Sequence, residues 1–329
     1  MKKIAFDVMG NDNGVRAGVE AALDFVDKNL DYVVVLVGDK SKINKLTVET
    51  ERIQIIDVKK TISGIDGARA ARTDDNSMAV AINLVKEGKA DAVISSGDSG
   101  VYLSMATLSL KRLKGVKRPA FMPVFPTIVK NKKFVMMDVG ANLITTAEML
   151  GQWATLGSIF SENVLSVNKP RVGIVNIGTE DKKGNEFQIE ANKIFKNRTD
   201  INYIGFIEPR DLLYSTVDVA VIDGYGGNLV LKTMEGTILA LLKLIKEEMM
   251  SKTKYKIGGL FVKGAFQNIK ENLDYRNVGA AWVIGLNGLA IKTHGSSDKK
   301  SYLGAFSQVS TALEKNAIEK IKKGLNEKS

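Results

Sequence analysis

The chain has 329 residues, 44% of them hydrophobic, no cysteine, and 47 Lys and Arg against 37 Asp and Glu, for a formal net charge of +10. That length and apolar content suffice for a large core, while the lack of cysteine excludes disulfides, thiolate metal sites and a cysteine nucleophile and fits a reducing compartment. The positive balance favours an anionic partner, and nucleic acid is the weakest such candidate because the lysines are dispersed and no recognition motif accompanies them.

In chain order, Met1 to Asp7 reaches an aspartate after three apolar residues, so no signal-peptide core is expected. Short β-branched runs then alternate with helical periodicity. Strands are predicted at 3–8, 32–37, 53–57, 92–95, 134–138, 172–177, 203–207 and 219–223, and helices at 14–28, 77–87, 99–113, 146–164, 186–196 and 229–250. The most lipid-like run, Ile238 to Ile245, is broken by Lys243 and is far short of the roughly 20 apolar residues of a membrane span. Continuous apolar strands between helices indicate a mainly parallel sheet covered on both faces, a three-layer α/β/α sandwich. No linker divides the chain, so residues 1–329 are expected to form one domain, with 229–273 as a hairpin-like helical element protruding from it. The lysine-rich segment from Lys315 reads as a solvated C-terminal helix.

Five strand ends run into turns rich in Gly, Asn, Ser or Asp: 7–12, 95–100, 138–142, 176–180 and 223–228. In a parallel sheet such turns share one edge, where ligands bind, and glycine turns that open helices can cradle phosphate. The same residues also simply make tight turns and caps. No dinucleotide or nucleotide fingerprint is present, so hydride transfer loses support. Asp7, Asp12, Asp138 and Asp223 form no recognisable metal-ligand set, and no metal is expected. Lys182 and Lys183 sit between a strand end and a helix start, suited either to phosphate or to a surface turn. His294, the one histidine, follows a further strand and is either an acid, base or oxyanion donor or a structural residue. Gly97-Asp98-Ser99-Gly100 has the spelling of a serine-protease nucleophile. It lacks that signature's second glycine and is not a Gly-x-Ser-x-Gly elbow, so Ser99 reads as a helix-start residue lining the substrate edge. After the long helix, Val262, Phe266, Ile269 and Leu273 form an apolar stripe beside Lys254, Lys256, Lys263 and Lys270, the pattern of a packed helix or of one lying on a membrane.

From Ile4 to about Asp298 the chain resembles the phosphate acyltransferases of bacterial phospholipid synthesis, the PlsX family. The resemblance rests on Met136-Met137-Asp138-Val139-Gly140-Ala141-Asn142, Asn176-Ile177-Gly178-Thr179-Glu180, Ile222-Asp223-Gly224-Tyr225-Gly226-Gly227-Asn228, Leu231-Lys232-Thr233-Met234-Glu235-Gly236 and Ile291-Lys292-Thr293-His294-Gly295-Ser296-Ser297. It departs where the family's Ser-Ala-Gly-Asn-Thr-Gly is Ser95-Ser96-Gly97-Asp98-Ser99-Gly100, and where Asn11 replaces a glycine. The resemblance implies an isocitrate/isopropylmalate dehydrogenase-like fold, a homodimer, and reversible transfer of a fatty acyl group from acyl carrier protein to inorganic phosphate. No bound cofactor is implied, since phosphopantetheine arrives on the carrier. Phosphate is itself a nucleophile, so the site must position it and stabilise an oxyanion. On this reading Lys183, Asn228 and His294 are the catalytic candidates, with Gly97, Ser99, Gly100, Asn142, Gly226 and Gly227 binding substrate and phosphate. It further implies a cytoplasmic protein peripherally associated with the inner face of the membrane through Leu260, Phe261 and Phe266, supplying an integral-membrane glycerol-3-phosphate acyltransferase. The alternatives are a soluble acyl-CoA phosphotransacetylase and a non-catalytic scaffold that binds the carrier and the membrane.

Overall fold

The computed structural model describes residues 1–62, 74–273 and 280–327, with side chains throughout except at 270–273. The elements of the first half are β1 (Lys2–Asp7), α1 (Arg16–Lys28), β2 (Tyr32–Gly38), α2 (Lys40–Ile43), β3 (Ile53–Asp57), α3 (Ser77–Lys86), β4 (Ala92–Ser95), α4 (Ser99–Leu110), β5 (Ala120–Pro126), β6 (Lys133–Met137) and α5 (Ala147–Asn163). Then follow β7 (Arg171–Val175), α6 (Glu186–Lys196), β8 (Asn202–Ile207), β9 (Val219–Val221), α7 (Gly224–Ser251), α8 (Thr253–Leu273), β10 (Ala280–Ile284), β11 (Leu289–Thr293), α9 (Lys299–Glu314) and α10 (Ala317–Glu327).

Along β1, Ile4 and Phe6 join one apolar cluster and Ala5 the other, and β2 is buried over its whole length. Strands without a solvent face need a helix layer on each side. One layer contains α1, α5 and α9, which contribute Val19, Trp153 and Phe306. The other contains α3 and α4, which contribute Ile82 and Tyr102. The α/β/α sandwich is thus realised. The tail is less solvated than its lysines suggest: Ala317 and Ile321 of α10 are buried, because the helix lies against α5 with Gly324 over Ile159.

Eleven strands among the described residues form one sheet in the order β3-β2-β1-β4-β11-β10-β5-β6-β9-β7-β8. The block from β3 to β11 is parallel, and so is the block from β6 to β8. Between them β10 is antiparallel to β11 and to β5, and β5 is antiparallel to β6. Three reversals leave the two blocks pointing in opposite directions, which corrects the expectation that all five turns share one edge. Register restores the meeting of most of them. Thr293, at the end of β11, lies opposite Ala280, while Ala281 lies opposite Pro123 of β5. Just past β6, the Val139 N–H donates to Phe121 O, close by along the same strand. The ends of both blocks therefore border one cleft at the middle of the sheet.

β5 contains Pro123 and Pro126, and prolines argue against an interior strand. Their tolerance follows from a divided register: Ala120 to Pro123 pair with β10, and Val124 to Pro126 pair with β6. The long helix begins at Gly224, earlier than expected, because Asp223 caps it by accepting the Gly226 N–H at 2.8 Å. Past Leu231, α7 and its neighbour α8 contribute no buried residue among those described. No described helix is long and apolar enough to cross a membrane.

Candidate functional site

At the ends of β1, β4 and β11 three turns are locked together. A Cβ on Gly10 would sit 2.2 Å from the Gly97 nitrogen, so the β1 and β4 turns touch backbone to backbone. Beneath them Asp7 is fully buried and accepts from Ser95 Oγ at 2.7 Å and from the Met9 N–H at 3.1 Å; burial raises its pKa against those hydrogen bonds. Asn11 Nδ2 donates to Ser297 O at 2.7 Å and to the Tyr302 hydroxyl at 2.8 Å, and that hydroxyl reaches Ser96 Oγ at 2.9 Å. The departure at Asn11 thus has a structural purpose: its amide ties the β1 turn to the turn after β11.

Across the cleft Asp138 organises the turns after β6 and β9. Its carboxylate accepts the N–H groups of Phe121, Ala141 and Asn142 at 3.0, 3.1 and 2.6 Å, and Asn142 Nδ2 at 3.0 Å. Burial nevertheless dominates and pushes its pKa up to about 6. The Gly224 N–H donates to Asn142 O at 3.1 Å, which fixes the start of α7 against this turn. Asn228, near the start of α7, lies over Gly140 (φ +112°), whose backbone its amide approaches closely.

Between the two clusters is a cavity of about 230 Å³ whose lining includes Ser99, Val139, Asn228, Lys232, Glu235, Lys292 and His294. Lys292 was not reached by sequence reasoning. It projects from β11 beside Ser95, is 9% exposed, and places Nζ 3.5 Å from Ser96 O. Burial brings its pKa down to about 8, opposed by the charges of Asp98 and Asp7. Glu235 accepts from His294 Nε2 at 3.2 Å and from Lys232 Nζ at 2.8 Å. Burial alone would raise the Glu235 pKa, but its hydrogen bonds with His294 and Lys232 outweigh it and hold it low. The carboxylate thereby orients the imidazole. At the start of α4, Asp98 is the N-cap and accepts the Val101 N–H at 2.9 Å. Its carboxylate is engaged by the helix. The preceding amides, those of Ser99 and Gly100, have no acceptor among the described residues, and Ser99, at the positive end of α4, lines the cavity. Two lysines, an imidazole and a helix start around Glu235 can hold a multiply charged oxyanion.

Of the residues singled out from sequence, Ser99, Asn228 and His294 line this cavity. Gly97 is buried against Gly10, and Gly100 is exposed beside Ser99. Asn142 sits on the Asp138 hub and lines a neighbouring groove. Gly226 and Gly227 do not offer free amides: their N–H groups donate to Asp223 Oδ1 and Asp223 O, both at 2.8 Å, because the cap and first turn of α7 consume them. Lys183 lies after β7, outside the cavity lining, and pairs with Glu180 at 2.6 Å. On α8, Leu260 and Phe261 are 72% and 87% exposed, while Phe266 is half-buried toward α7. The side chains of Leu273 and Lys270 lie outside those described.

A family model described as fatty acid synthesis protein matches residues 2–320. A phosphate acyltransferase of Mycoplasmopsis pulmonis is 56% identical over 319 residues, covering 97% of this chain and 98% of that one. Among solved structures, a branched-chain phosphotransacylase from Enterococcus faecalis V583 superposes with a TM-score of 0.61 at 12% identity over 96% of this chain and 99% of that one. A putative 4-hydroxythreonine-4-phosphate dehydrogenase from Salmonella typhimurium gives 0.53 at 11% identity over 95% and 99%. These two likenesses show the fold, one common to acyl-transferring and dehydrogenase-type proteins.

Proposed function

The chain belongs to the fatty acid synthesis protein family and is an acyltransferase of phospholipid synthesis, and from that premise we propose that it moves a fatty acyl group reversibly from acyl carrier protein to inorganic phosphate by direct attack of phosphate on the thioester. A phosphate oxygen bonds to the carbonyl carbon, the C–S bond breaks, and the thiolate leaves with a proton. The observation that carries this reading is the convergence of Lys292, Lys232, His294 and Ser99, at the start of α4, on one cavity. Lys292 and the helix start hold phosphate, Asn228 donates to the carbonyl oxygen, and His294, oriented by Glu235, protonates the leaving sulfur. Ser99 serves through its amide, and no protein nucleophile or bound cofactor takes part. Thiol release from acyl-acyl carrier protein is expected only when phosphate is present. Phosphate-independent release would mean a thioesterase, equal use of acyl-CoA would favour a phosphotransacetylase, and binding without release would mean a scaffold.

The apolar surface of the α7 and α8 pair supports a second part of the reading: a cytoplasmic homodimer that rests on the inner face of the membrane and hands acyl phosphate to an integral-membrane glycerol-3-phosphate acyltransferase. Leu260 and Phe261 stand out among Lys254, Lys256 and Lys263, a combination suited to an anionic interface. Phe261→Asp is expected to abolish flotation with vesicles containing phosphatidylglycerol while leaving acyl transfer in solution unchanged. Flotation equal to that of the wild type would assign this face to contacts between protomers.

A further inference from the structure

Leu113 and Val116 are buried in the loop between α4 and β5, and they carry five exposed cations on a fixed frame: Lys111, Arg112, Lys114, Lys117 and Arg118. The frame is pinned at several points. The Leu113 N–H donates to Gly285 O at 2.9 Å, the Lys117 N–H to Gln152 Oε1 at 2.8 Å, and Trp153 Nε1 to Arg118 O at 3.0 Å. Only Lys117 has an ion-pair partner among the described residues, Glu148 at 2.5 Å. Salt bridges would normally neutralise such a surface, so a rigid loop on which four cations lack an ion-pair partner among the described residues presents a strong local positive field.

This loop borders a groove of about 1240 Å³, against about 230 Å³ for the inner cavity, with Leu103, Leu108, Ala141 and Asn142 among the other residues lining it. Leu108 is 61% exposed, which places an apolar contact beside the cations. Groove and cavity share a wall. Asn142 Nδ2 donates to Pro119 O at 2.9 Å, and the turn that presents Asn142 to the groove presents Val139 to the cavity. A partner seated in the groove is therefore one short turn away from the phosphate site.

We infer that the loop 111–118 and its groove are the docking surface for the acidic carrier protein that delivers the acyl thioester. The inference rests on the proposed function for the identity of the donor. Acidic side chains of the carrier meet Lys111, Arg112, Lys114 and Arg118, an apolar residue covers Leu108, and the thioester arm passes the Asn142 turn into the cavity. Charge contacts of this kind set the association rate and are weakened by salt.

The test uses the full chain with Lys114→Glu and Arg118→Glu combined, and Lys111→Glu as a second variant. Binding of acyl-free holo-carrier protein is measured by fluorescence anisotropy, and turnover is measured with acyl-carrier protein and with uncharged acyl-pantetheine. The double variant is expected to weaken carrier binding and raise KM for acyl-carrier about tenfold or more, with kcat and acyl-pantetheine turnover unchanged. Lys111→Glu is expected to change the same quantities in the same direction. The decline of carrier kcat/KM with salt seen in the wild type is expected to flatten in both variants. Carrier binding equal to the wild type overturns the docking assignment, as does an equal loss with both donors. Failure of the function itself is distinguishable, since a wild-type protein that binds carrier yet releases no thiol with phosphate leaves the binding measurement intact.

Discussion

Replacing Lys292 by Met is expected to lower kcat/KM for phosphate by roughly 100- to 1000-fold, the range found when one preorganised oxyanion donor is removed, without weakening the fold. Methionine nearly conserves the volume of the side chain, and the group it removes is a charge only 9% exposed. A buried charge costs solvation free energy, so the thermal midpoint should equal or exceed that of the wild type. A merely structural lysine would show the opposite pattern, normal turnover with reduced stability. The pH dependence separates these further. Because burial lowers the ammonium pKa to about 8, the phosphate-binding form is lost as pH rises through that value, and turnover should fall with it. Stability moves the other way. Between about 8 and the ordinary 10.5 the unfolded chain holds the proton and the folded chain does not, so this group makes the fold more stable as pH rises. Lys292→Arg, which stays charged, should remove the alkaline limb from the rate profile. An alkaline limb persisting in the arginine variant would assign it to another group.

Gly227→Ala is expected to be the most damaging single methyl group in the chain's first helical turns. The added Cβ would lie 1.9 Å from the carbonyl oxygen of Asp138 and 2.9 Å from Ile222 Cγ2. Neither backbone can swing aside, since the Asp138 N–H donates to Ile222 O at 2.9 Å and the Ile222 N–H to Met137 O at 2.8 Å. The start of α7 must therefore shift away from the Asp138 turn. Overpacking of this severity costs on the order of 3 kcal/mol, a fall of roughly 4 °C in thermal midpoint for a chain this long. Turnover should fall too, because Asn228 is the next residue. Gly236→Ala, in the same helix with no atom within 4 Å of the added Cβ, is the control and should be neutral or slightly stabilising. A Gly227→Ala protein with the wild-type midpoint would show that the two turns are not in the close contact described.

How far these residues could be read in advance follows from their surroundings. Strands β1 to β4 are apolar runs bounded by turns, and their limits agree with expectation to within a residue. β5 was hidden by its two prolines, and with it the reversal of the sheet. The cavity residues Ser99, Asn228 and His294 emerged from the rule that strand-end turns carry the chemistry, although the single edge assumed for that rule does not exist. Lys292 escaped because a lysine in Leu289-Ala290-Ile291-Lys292-Thr293 reads as the solvent-facing member of an alternating strand. All five of those residues are buried, and in such a strand a lysine must project into a cavity. The engaged amides of Gly226 and Gly227 were hidden for another reason, since glycine composition shows where backbone comes close to backbone but not which N–H groups the helix cap has already used.

The placement of β10 and β11 has a consequence for how the chain is assembled during synthesis. These two strands, made after residue 279, sit in the middle of the sheet between β4 and β5. Until they emerge, β3-β2-β1-β4 and β5-β6-β9-β7-β8 are two partial sheets, each with an open edge at the future centre. Open edges of this kind invite pairing with other chains, and contacts between distant parts of a sequence form slowly. The segment made after residue 279 thus joins the half-sheets and completes the cavity together, because it carries both the strands between β4 and β5 and the Lys292 and His294 that line the cavity.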